Sequence, residues 1–522
     1  MVHTGKPSGG CAVCRRRKIK CDEKSPECSY CIKTKQKCPG YENKFDLAWR
    51  DQTTVARKHV EQRIRATQRA RPPECSFEQI LSPEMRMRMR SGSHSSNSSN
   101  SSPVPTPRSL DDHEEFALNF FFSVYGPPST NPLDTREHLE FLAPLYSKTQ
   151  PYSTLSLSTK ALASCLYIAW KSQRPDAPLS TSPYLRAVSA MKQQLTQADA
   201  CANDEILLSV LLLQQYETLV DTAKRKPPSR AHLDGALALI KYRGLHTFTN
   251  EVSQGLLFCV RAQLIDEALR NSQPLEDSLD ISGKVANATN LSPDLQLDNI
   301  NASVTFFNAS VIRTLQSDET NPDSPESEIR KLLYEAWVIE KLLADWHANL
   351  PASWRPIKVS GEDCISASIQ QAGLYQPHCH IYPSLPVSNT WNKYRVAQIR
   401  IHFGMLNLLS RFPSLSTTAN EISKCRTCIQ QEADDICACI PYHIGDRTKP
   451  GVCGDKRVKY PHPPGEPTPV SHYLHATAIG GYNLFTPLTA LTVMALPLRE
   501  GQREWIQGQI MRVFRIYNIV RG

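Results

Sequence analysis

From Asp111 onward, apolar residues recur every three or four positions, the period of an amphipathic helix. Phe116, Phe120 and Val124 are spaced by four after the acidic pair Asp111 and Asp112. Leu162, Leu166 and Trp170 repeat that spacing. Leu207, Val210, Leu211 and Leu213 form a wide face behind the cap candidates Asn203, Asp204 and Glu205. A helix is predicted from His232 to Arg243, stopped by Gly244 at the position after the cap. Another carries Leu332, Trp337, Ile339, Leu342 and Trp346 behind Pro325 and Glu326, and all of these stripes are read as core. Further helices are predicted over 394–412, 419–440, 471–486 and 501–520, with a flexible insertion around 271–326. Alternating strand patterns are nearly absent. Residues 111–522 therefore read as one large all-α region.

Upstream the pattern fails. Within residues 72–110, residues 85–109 run from Met85-Arg86-Met87-Arg88 into a Ser/Asn tract with Pro103, Pro105 and Pro107. Such a composition cannot bury enough apolar surface to offset ordering entropy, so a disordered Ser/Pro-rich linker is expected there. Ser102-Pro103 and Thr106-Pro107 are candidate phosphorylation dipeptides within it. Residues 39–71 form a basic linker. A helix over 53–70 would end at Pro72-Pro73, but Val60, Ile64 and Thr67 give one heptad step with no second, so no zipper is supported.

The apolar run from Ile206 to Leu213 is interrupted by Ser209 and falls far short of the roughly 20 residues a membrane span needs. Met1 to Gly10 contain no apolar core of an export signal. No membrane partner is expected, and the sequons at Asn287 and Asn301 should be silent. The 17 cysteines should be reduced thiols or metal ligands.

Charge divides the chain as sharply as the periodicity does. Residues 1–71 hold 18 Lys and Arg against 7 Asp and Glu, whereas the remainder holds 42 against 44. A small basic module is attached to a nearly neutral body. A polyanion is the expected partner of the module.

Within the module, cysteines fall at 11, 14, 21, 28, 31 and 38. The spacing is C-x2-C-x6-C, a six-residue connector, then the same pattern again, a repeat with a period of 17 residues. Lys18 matches Lys35, and Lys20 matches Lys37. Structural zinc takes four thiolates tetrahedrally. One ion would use four of the six cysteines; two ions need eight ligand places, which six thiolates fill if two sulfurs bridge. In a repeat the bridging residues should be symmetry mates. A disulfide knot, scattered thiols and a single-zinc module with two spare cysteines are the alternatives. The missing export signal and the regular spacing weigh against them. Twenty-eight residues make no adequate core without metal.

Between Cys14 and Cys21 lie Arg15, Arg16, Arg17, Lys18, Ile19 and Lys20. A short helix here would put Arg15 and Lys18 on one face, and Arg16 and Lys20 on another, as a rigid platform for the major groove. The bland reading is a solvated charged face or a nuclear import signal. The second half, Ile32 to Lys37, has three lysines and suits phosphates better than bases.

This spacing, with Pro26 in the connector and a basic run after the second cysteine, resembles the fungal zinc binuclear cluster (Zn2Cys6) family of transcription factors. The resemblance implies two Zn2+ ions per chain held by Cys11, Cys14, Cys21, Cys28, Cys31 and Cys38, with Cys11 and Cys28 bridging. It implies double-stranded DNA as partner, with the lysine at Lys18 and nearby helix carbonyls reading a CGG triplet. Where the family often has Lys before it, this chain has Arg17. Arg15, Arg16, Arg17, Lys18, Lys20 and Lys35 are the candidate DNA contacts.

Pro39-Gly40-Tyr41 with Phe45, Leu47 and Trp49-Arg50-Asp51 resembles a linker of filamentous-fungal members. Three segments of the body resemble the family's all-α regulatory region: Asp204 to Glu217, His232 to Gly244, and Ile440-Pro441-Tyr442-His443-Ile444-Gly445. They imply regulation, dimerisation or effector response, with coregulators, the transcription machinery and a second copy of the chain as candidate partners.

Weaker signals remain in the body. Cys425, Cys428, Cys437 and Cys439, with His443 and Cys453 near, match no regular zinc module and read as a small-residue core face. His378-Cys379-His380 before Tyr382-Pro383 reads as a polar loop. No phosphate-cradling glycine loop and no ordered acid/base or nucleophile motif is present, so no enzyme is expected. The whole reads as a small Zn2Cys6 module, a disordered linker and an all-α regulatory region, forming a nuclear, sequence-specific regulator of RNA polymerase II transcription, with control of a metabolic gene cluster suggested by the resemblance. The alternatives are an enzyme with an accessory zinc module and a non-specific nucleic-acid-binding corepressor.

Overall fold

The computed structural model describes residues 11–24, 26–39, 110–125, 138–171, 181–197, 203–223, 226, 229–275, 291–316, 325–412, 419–451 and 454–517. The chain divides into two compact units, residues 1–99 and 100–522. The linkers predicted over 39–71 and 72–110, and the two Ser/Thr-Pro dipeptides, fall almost wholly outside the described residues.

The first unit holds two short helices, α1 (Ala12–Arg16) and α2 (Ser29–Lys33). Their bounds are related by the same 17-residue period as the cysteines. In place of an apolar core stand Cys11, Cys14, Cys28, Cys31 and Cys38, with Val13, Cys21 and Tyr30 partly buried against them.

The second unit is helical almost throughout: α3 (Leu110–Tyr125), α4 (Leu142–Tyr146), α5 (Thr154–Lys171), α6 (Thr181–Gln194), α7 (Asp204–Ala223), α8 (Ala231–Arg243), α9 (Glu251–Asn271), α10 (Pro293–Gln316) and α11 (Pro325–Asn349). After a small hairpin come α13 (Leu385–Arg411), α14 (Ala419–Ile444), α15 (Val470–His475), α16 (Gly481–Val493) and α17 (Gln502–Ile516). α5 packs against α3, α6 and α7; α10 bridges α9, α11 and α13; α13 lies along α14. None of the described helices is long and apolar enough to cross a membrane.

The predicted stripes reach the core where burial is one-sided. Phe120, Val124, Leu162, Leu166, Leu207, Val210, Leu211 and Leu213 are all buried. α8 ends at Gly244, which caps it with φ 79° and ψ 136°, a positive-φ conformation that glycine takes without strain. Four expectations change. Residues Pro293–Gln316, placed in a flexible insertion, form a six-turn helix whose Leu297, Val304, Phe307 and Val311 are buried. Its polar composition hides the stripe, because Asp298, Asn301, Thr305 and Asn308 are buried on the same face.

Second, His378-Cys379-His380 is strand β2 (His378–Ile381) rather than a loop. It pairs antiparallel with β1 (Ile357–Ser360), with Val359 opposite Cys379, and packs on α14. A four-residue strand that buries Cys379, His380 and Ile381 in succession has no alternation to detect. The short helix α12 (Ala367–Gly373) lies between these strands. Third, Trp337 and Leu342 of α11 are exposed; the core side of that helix is Ile329, Leu332, Leu333, Ala336, Ile339, Leu343 and Trp346. Fourth, the helix predicted over 471–486 is three pieces, with a π-helical turn at Ala476–Gly480 between α15 and α16.

α13 is the central helix, buried on nearly all sides, and it carries polar groups inward. Each is held by a neighbour. Ser388 Oγ lies 2.8 Å from His443 Nε2, the Asn392 amide lies 3.4 Å from Cys439 Sγ, and Gln398 donates to the Tyr394 hydroxyl at 2.9 Å. The guanidinium of Arg395 donates to Asn392 Oδ1 and meets His380 Nδ1. Burial holds His443 and His380 well below the usual imidazole range, to about 3, so both are neutral partners at physiological pH.

Two glycines make opposite predictions. At Gly480 a Cβ would stand 2.1 Å from the His443 carbonyl oxygen, whereas a Cβ at Gly235, inside α8, would meet nothing. Gly480→Ala should therefore destabilise the body by about 1–3 kcal/mol through overpacking. Gly235→Ala should stabilise it by about 0.5–1 kcal/mol through helix propensity. Chemical denaturation of the two variants beside the wild type checks both signs.

Candidate metal centre and nucleic-acid interface

The two cysteine repeats fold as local copies of one another. Arg17 N–H donates to the Val13 carbonyl and Ile19 N–H to the Cys14 carbonyl; 17 residues later Thr34 donates to Tyr30 and Gln36 to Cys31. Each short helix is thus closed by a bond reaching back five residues, which requires a left-handed residue just past its end. Those residues are Lys18 (φ 57°) and Lys35 (φ 49°). The sequence match of Lys18 with Lys35 is therefore a match of backbone conformation. At α2 the cap Cys28 accepts from Cys31 N–H through sulfur, and Asp22 accepts from both the backbone and the hydroxyl of Ser29.

This geometry gathers the sulfurs into two tetrads. Cys11, Cys14, Cys21 and Cys28 form one, and Cys11, Cys28, Cys31 and Cys38 the other, the ligand atoms of each lying within 4.8 Å of one another. Cys11 and Cys28 belong to both. The Sγ atoms of Cys11 lie 3.8 Å from those of Cys28 and Cys31, and Cys14 Sγ lies 3.7 Å from Cys28 Sγ. A tetrahedral zinc with Zn–S bonds of about 2.3 Å sets sulfurs about 3.8 Å apart, so the donor set fits the ion in type and in spacing. Among the described residues no other group of His, Cys, Asp and Glu gathers its ligand atoms this closely.

Packed thiols without a cation cannot all ionise. Burial raises Cys14 and Cys31, and contacts with neighbouring sulfurs add to the rise, pushing Cys14 up to about 12. Burial also raises Cys11, but hydrogen bonds from Cys14, Cys28 and Cys31 outweigh it and bring that thiol down to about 6. One sulfur takes negative charge at its neighbours' expense. A divalent ion replaces the protons and lets every sulfur be a thiolate.

The basic run is not the continuous helix expected of it. α1 ends at Arg16, and Lys18 turns the chain left-handed, so the predicted pairing of Arg15 with Lys18, and Arg16 with Lys20, along helix faces does not form. Arg16, Arg17, Lys18 and Lys20 are instead displayed, exposed, around the end of α1 and the turn that follows it. Arg15 lies within α1, and its side chain falls outside the described ones. Arg17 reaches across to the Tyr30 hydroxyl at 3.4 Å, tying the first half to α2. Lys35 is exposed at the equivalent turn of the second half. The halves are asymmetric in charge because Arg15, Arg16 and Arg17 correspond to Ile32, Lys33 and Thr34. Asp22 and Tyr30 escaped sequence reasoning; neither sits at a repeated spacing.

The body's candidate cysteines are packing residues. Cys425, Cys437 and Cys439 are buried along α14, and Cys453 falls outside the described residues. The segments that resembled a regulatory region make long-range contacts: Asp204 pairs with Arg243 at 2.6 Å, and Glu217 lies 3.3 Å from His232. His443 Nδ1 lies 3.1 Å from the Gly480 carbonyl oxygen.

Residues 9–47 match the family described as the fungal Zn(2)-Cys(6) binuclear cluster domain. The chain is 59% identical over 34 residues to the transcriptional regulatory protein moc3 of Schizosaccharomyces pombe, covering 6% of this chain and 7% of that protein. It is 50% identical over 34 residues to white-opaque regulator 2 of Candida albicans, covering 6% and 8%. It is 49% identical over 37 residues to the aspercryptin biosynthesis cluster-specific transcription regulator atnN of Emericella nidulans, covering 7% and 6%. The matched stretches thus span under a tenth of these curated relatives. No solved structure matches the chain.

The left-handed turns give a test of local fold. Lys18→Gly and Lys35→Gly remove a side chain where glycine fits without strain, so each variant should keep its metal. Lys18→Val forces a β-branched residue into the same conformation and should destabilise the module by about 1–2 kcal/mol. Chelator titration of the three variants reads the difference as earlier metal loss in Lys18→Val alone.

Proposed function

We propose, from the fungal Zn(2)-Cys(6) binuclear cluster domain that residues 9–47 form, that this chain is a zinc-dependent, sequence-specific DNA-binding regulator of RNA polymerase II transcription acting in the nucleus. The observation that carries the reading is the pair of sulfur tetrads sharing Cys11 and Cys28, with an exposed cationic turn beside them. In this reading Cys11, Cys14, Cys21, Cys28, Cys31 and Cys38 hold two Zn2+ ions, with Cys11 and Cys28 as the shared ligands. Zinc supplies the cross-links that a module without an apolar core lacks. Six thiolates and two divalent ions carry a net charge of −2, which the surrounding lysines and arginines outweigh.

Arg16, Arg17, Lys20 and Lys35 then contact phosphates, as does Arg15 from α1, while Lys18 reads base edges of a CGG-type triplet. A turn suits that role. It leaves Lys18 exposed just past the end of α1, where its ammonium group can donate to a base edge. The body, residues 111–522, serves regulation. The three relatives bear regulatory names, and one is called cluster-specific, which supports regulation over enzymatic activity and favours a metabolic gene cluster as target. Coregulators and the transcription machinery are its further partners.

Metal content tests the centre. Elemental analysis of the full chain should give two zinc ions. Cys11→Ala and Cys28→Ala, each removing a shared ligand, should lose both, whereas Cys21→Ala and Cys38→Ala each remove a ligand from one tetrad and should lose metal less completely. One ion in the wild type contradicts the binuclear reading.

DNA binding tests the turn. Lys18→Gly should cost about 1–3 kcal/mol on a CGG-containing duplex and little on a scrambled one. Lys35→Gly should weaken both alike and lower the slope of log affinity against log salt by about one. Equal losses for Lys18→Gly on the two duplexes would make it a phosphate contact.

A further inference from the structure

The outer face of α11 is apolar where a solvated helix should be polar. Tyr334 is 65% exposed, Trp337 46%, Val338 43% and Leu342 43%. At about 100° per residue, Lys331, Tyr334, Val338, Leu342 and Asp345 fall on one narrow face centred on Val338. Ile329, Leu332, Ala336, Ile339, Leu343 and Trp346 occupy the opposite side, in the core. The helix therefore has two apolar stripes and buries one of them within the body. An exposed stripe at i, i+4, i+8 is the pattern by which one helix packs on another.

The charges flanking the stripe identify the occupant. A two-fold axis through Val338 relates residues whose numbers are symmetric about it. Under antiparallel pairing of α11 with a second α11, Tyr334 of one copy stands level with Leu342 of the other, and Lys331 with Asp345. Val338 faces itself. Aromatic meets aliphatic and cation meets anion at both ends, so the face is complementary to itself and no other partner is needed to satisfy it. Lys331 and Asp345 are both exposed and lie on the same narrow face as the apolar residues. In one chain Lys341 already pairs with Asp345 at 3.1 Å, an exposed contact of small worth that a facing Lys331 would join.

We propose that the body self-associates through an antiparallel, two-fold packing of α11 centred on Val338. The inference stands on the body alone and holds whatever the N-terminal module binds. Sedimentation velocity on the full chain over a concentration series should show a monomer–dimer equilibrium. Val338→Asp, which sets two carboxylates against each other at the axis, should raise the dimer dissociation constant at least about tenfold. Lys331→Asp and Asp345→Lys should each weaken self-association comparably, because each creates like-charge contacts at both ends. Mixing these two variants restores opposite charges at both ends and should restore the dimer as a heterodimer; the double variant should dimerise by itself. Thermal unfolding of each variant, at concentrations where the wild type is monomeric, should match the wild type, since all three positions are exposed.

A monomeric wild type at every concentration would overturn the proposal, as would Val338→Asp dimerising like the wild type. Failure of the mixed variants to associate would overturn the antiparallel register, and the stripe would then belong to a different protein partner.

Discussion

Two sulfur atoms in this chain must each serve two neighbourhoods at once. Cys11 and Cys28 stand in both tetrads, so neither half of the N-terminal module closes without the other. The requirement explains the repeat. Equal loops of two and six residues set each outer cysteine at a matched reach from its shared one, and equal helices follow with equal left-handed turns at Lys18 and Lys35. The turns in turn fix where cationic side chains project. Metal coordination, backbone conformation and the display of charge are thus one constraint seen at three scales. Swapping a shared cysteine disturbs all three, whereas Lys18→Gly or Lys35→Gly, which keeps the left-handed turn, disturbs only the last.

How far the sequence foretold this depends on how each signal is written in the chain. Cysteine spacing is a count of residues, and the six cysteines it singles out are gathered by the fold into two sulfur tetrads. The length of α1 was misjudged because a run of five cations in six residues looks helical by propensity, while the stop is imposed by the Ile19-to-Cys14 bond and the left-handed Lys18. Lysine gives no local sign of a positive φ, as glycine does at Gly244. In the body, stripes of Leu and Phe were legible wherever the opposite face was polar. Pro293–Gln316 was hidden because buried Asp298, Asn301 and Asn308 break its stripe. β2 was hidden because a four-residue strand buried in succession has no period.

α13 shows what the body asks of such polar residues. A helix surrounded by protein would be held most simply by apolar side chains, yet Ser388, Asn392, Arg395 and Gln398 point inward and find partners on β2, on α14 or within α13 itself. Removing one partner would leave a buried donor or acceptor unmatched, which costs about 1–3 kcal/mol. Such pairs fix register where apolar packing alone would tolerate sliding. His443 makes the point with both nitrogens, meeting Ser388 on α13 and the carbonyl of Gly480 at the end of the π-helical turn. The absence of a side chain at Gly480 lets the His443 backbone carbonyl approach, since a Cβ there would stand 2.1 Å from its oxygen. One resemblance-bearing segment, Ile440 to Gly445, is thereby accounted for by the joining of three elements.

α11 differs from α13 in having two faces with opposite fates, and the contrast bears on how the module would work. A single module binding DNA in the proposed way would offer few phosphate contacts and one reading turn, and each lost phosphate contact lowers affinity steeply at physiological salt. Two-fold association of the bodies would join two modules in one particle, and binding of the second would then become an intramolecular event. Its gain is set by the reach of the chain between module and body, 71 residues from Cys38 to Leu110. A DNA-binding module can thus act as one of a pair when the pairing surface lies in the body. The self-complementary face of α11 is the proposed surface, and pairing through it would place the control of avidity in the body, where a change in association would alter DNA affinity without touching the module.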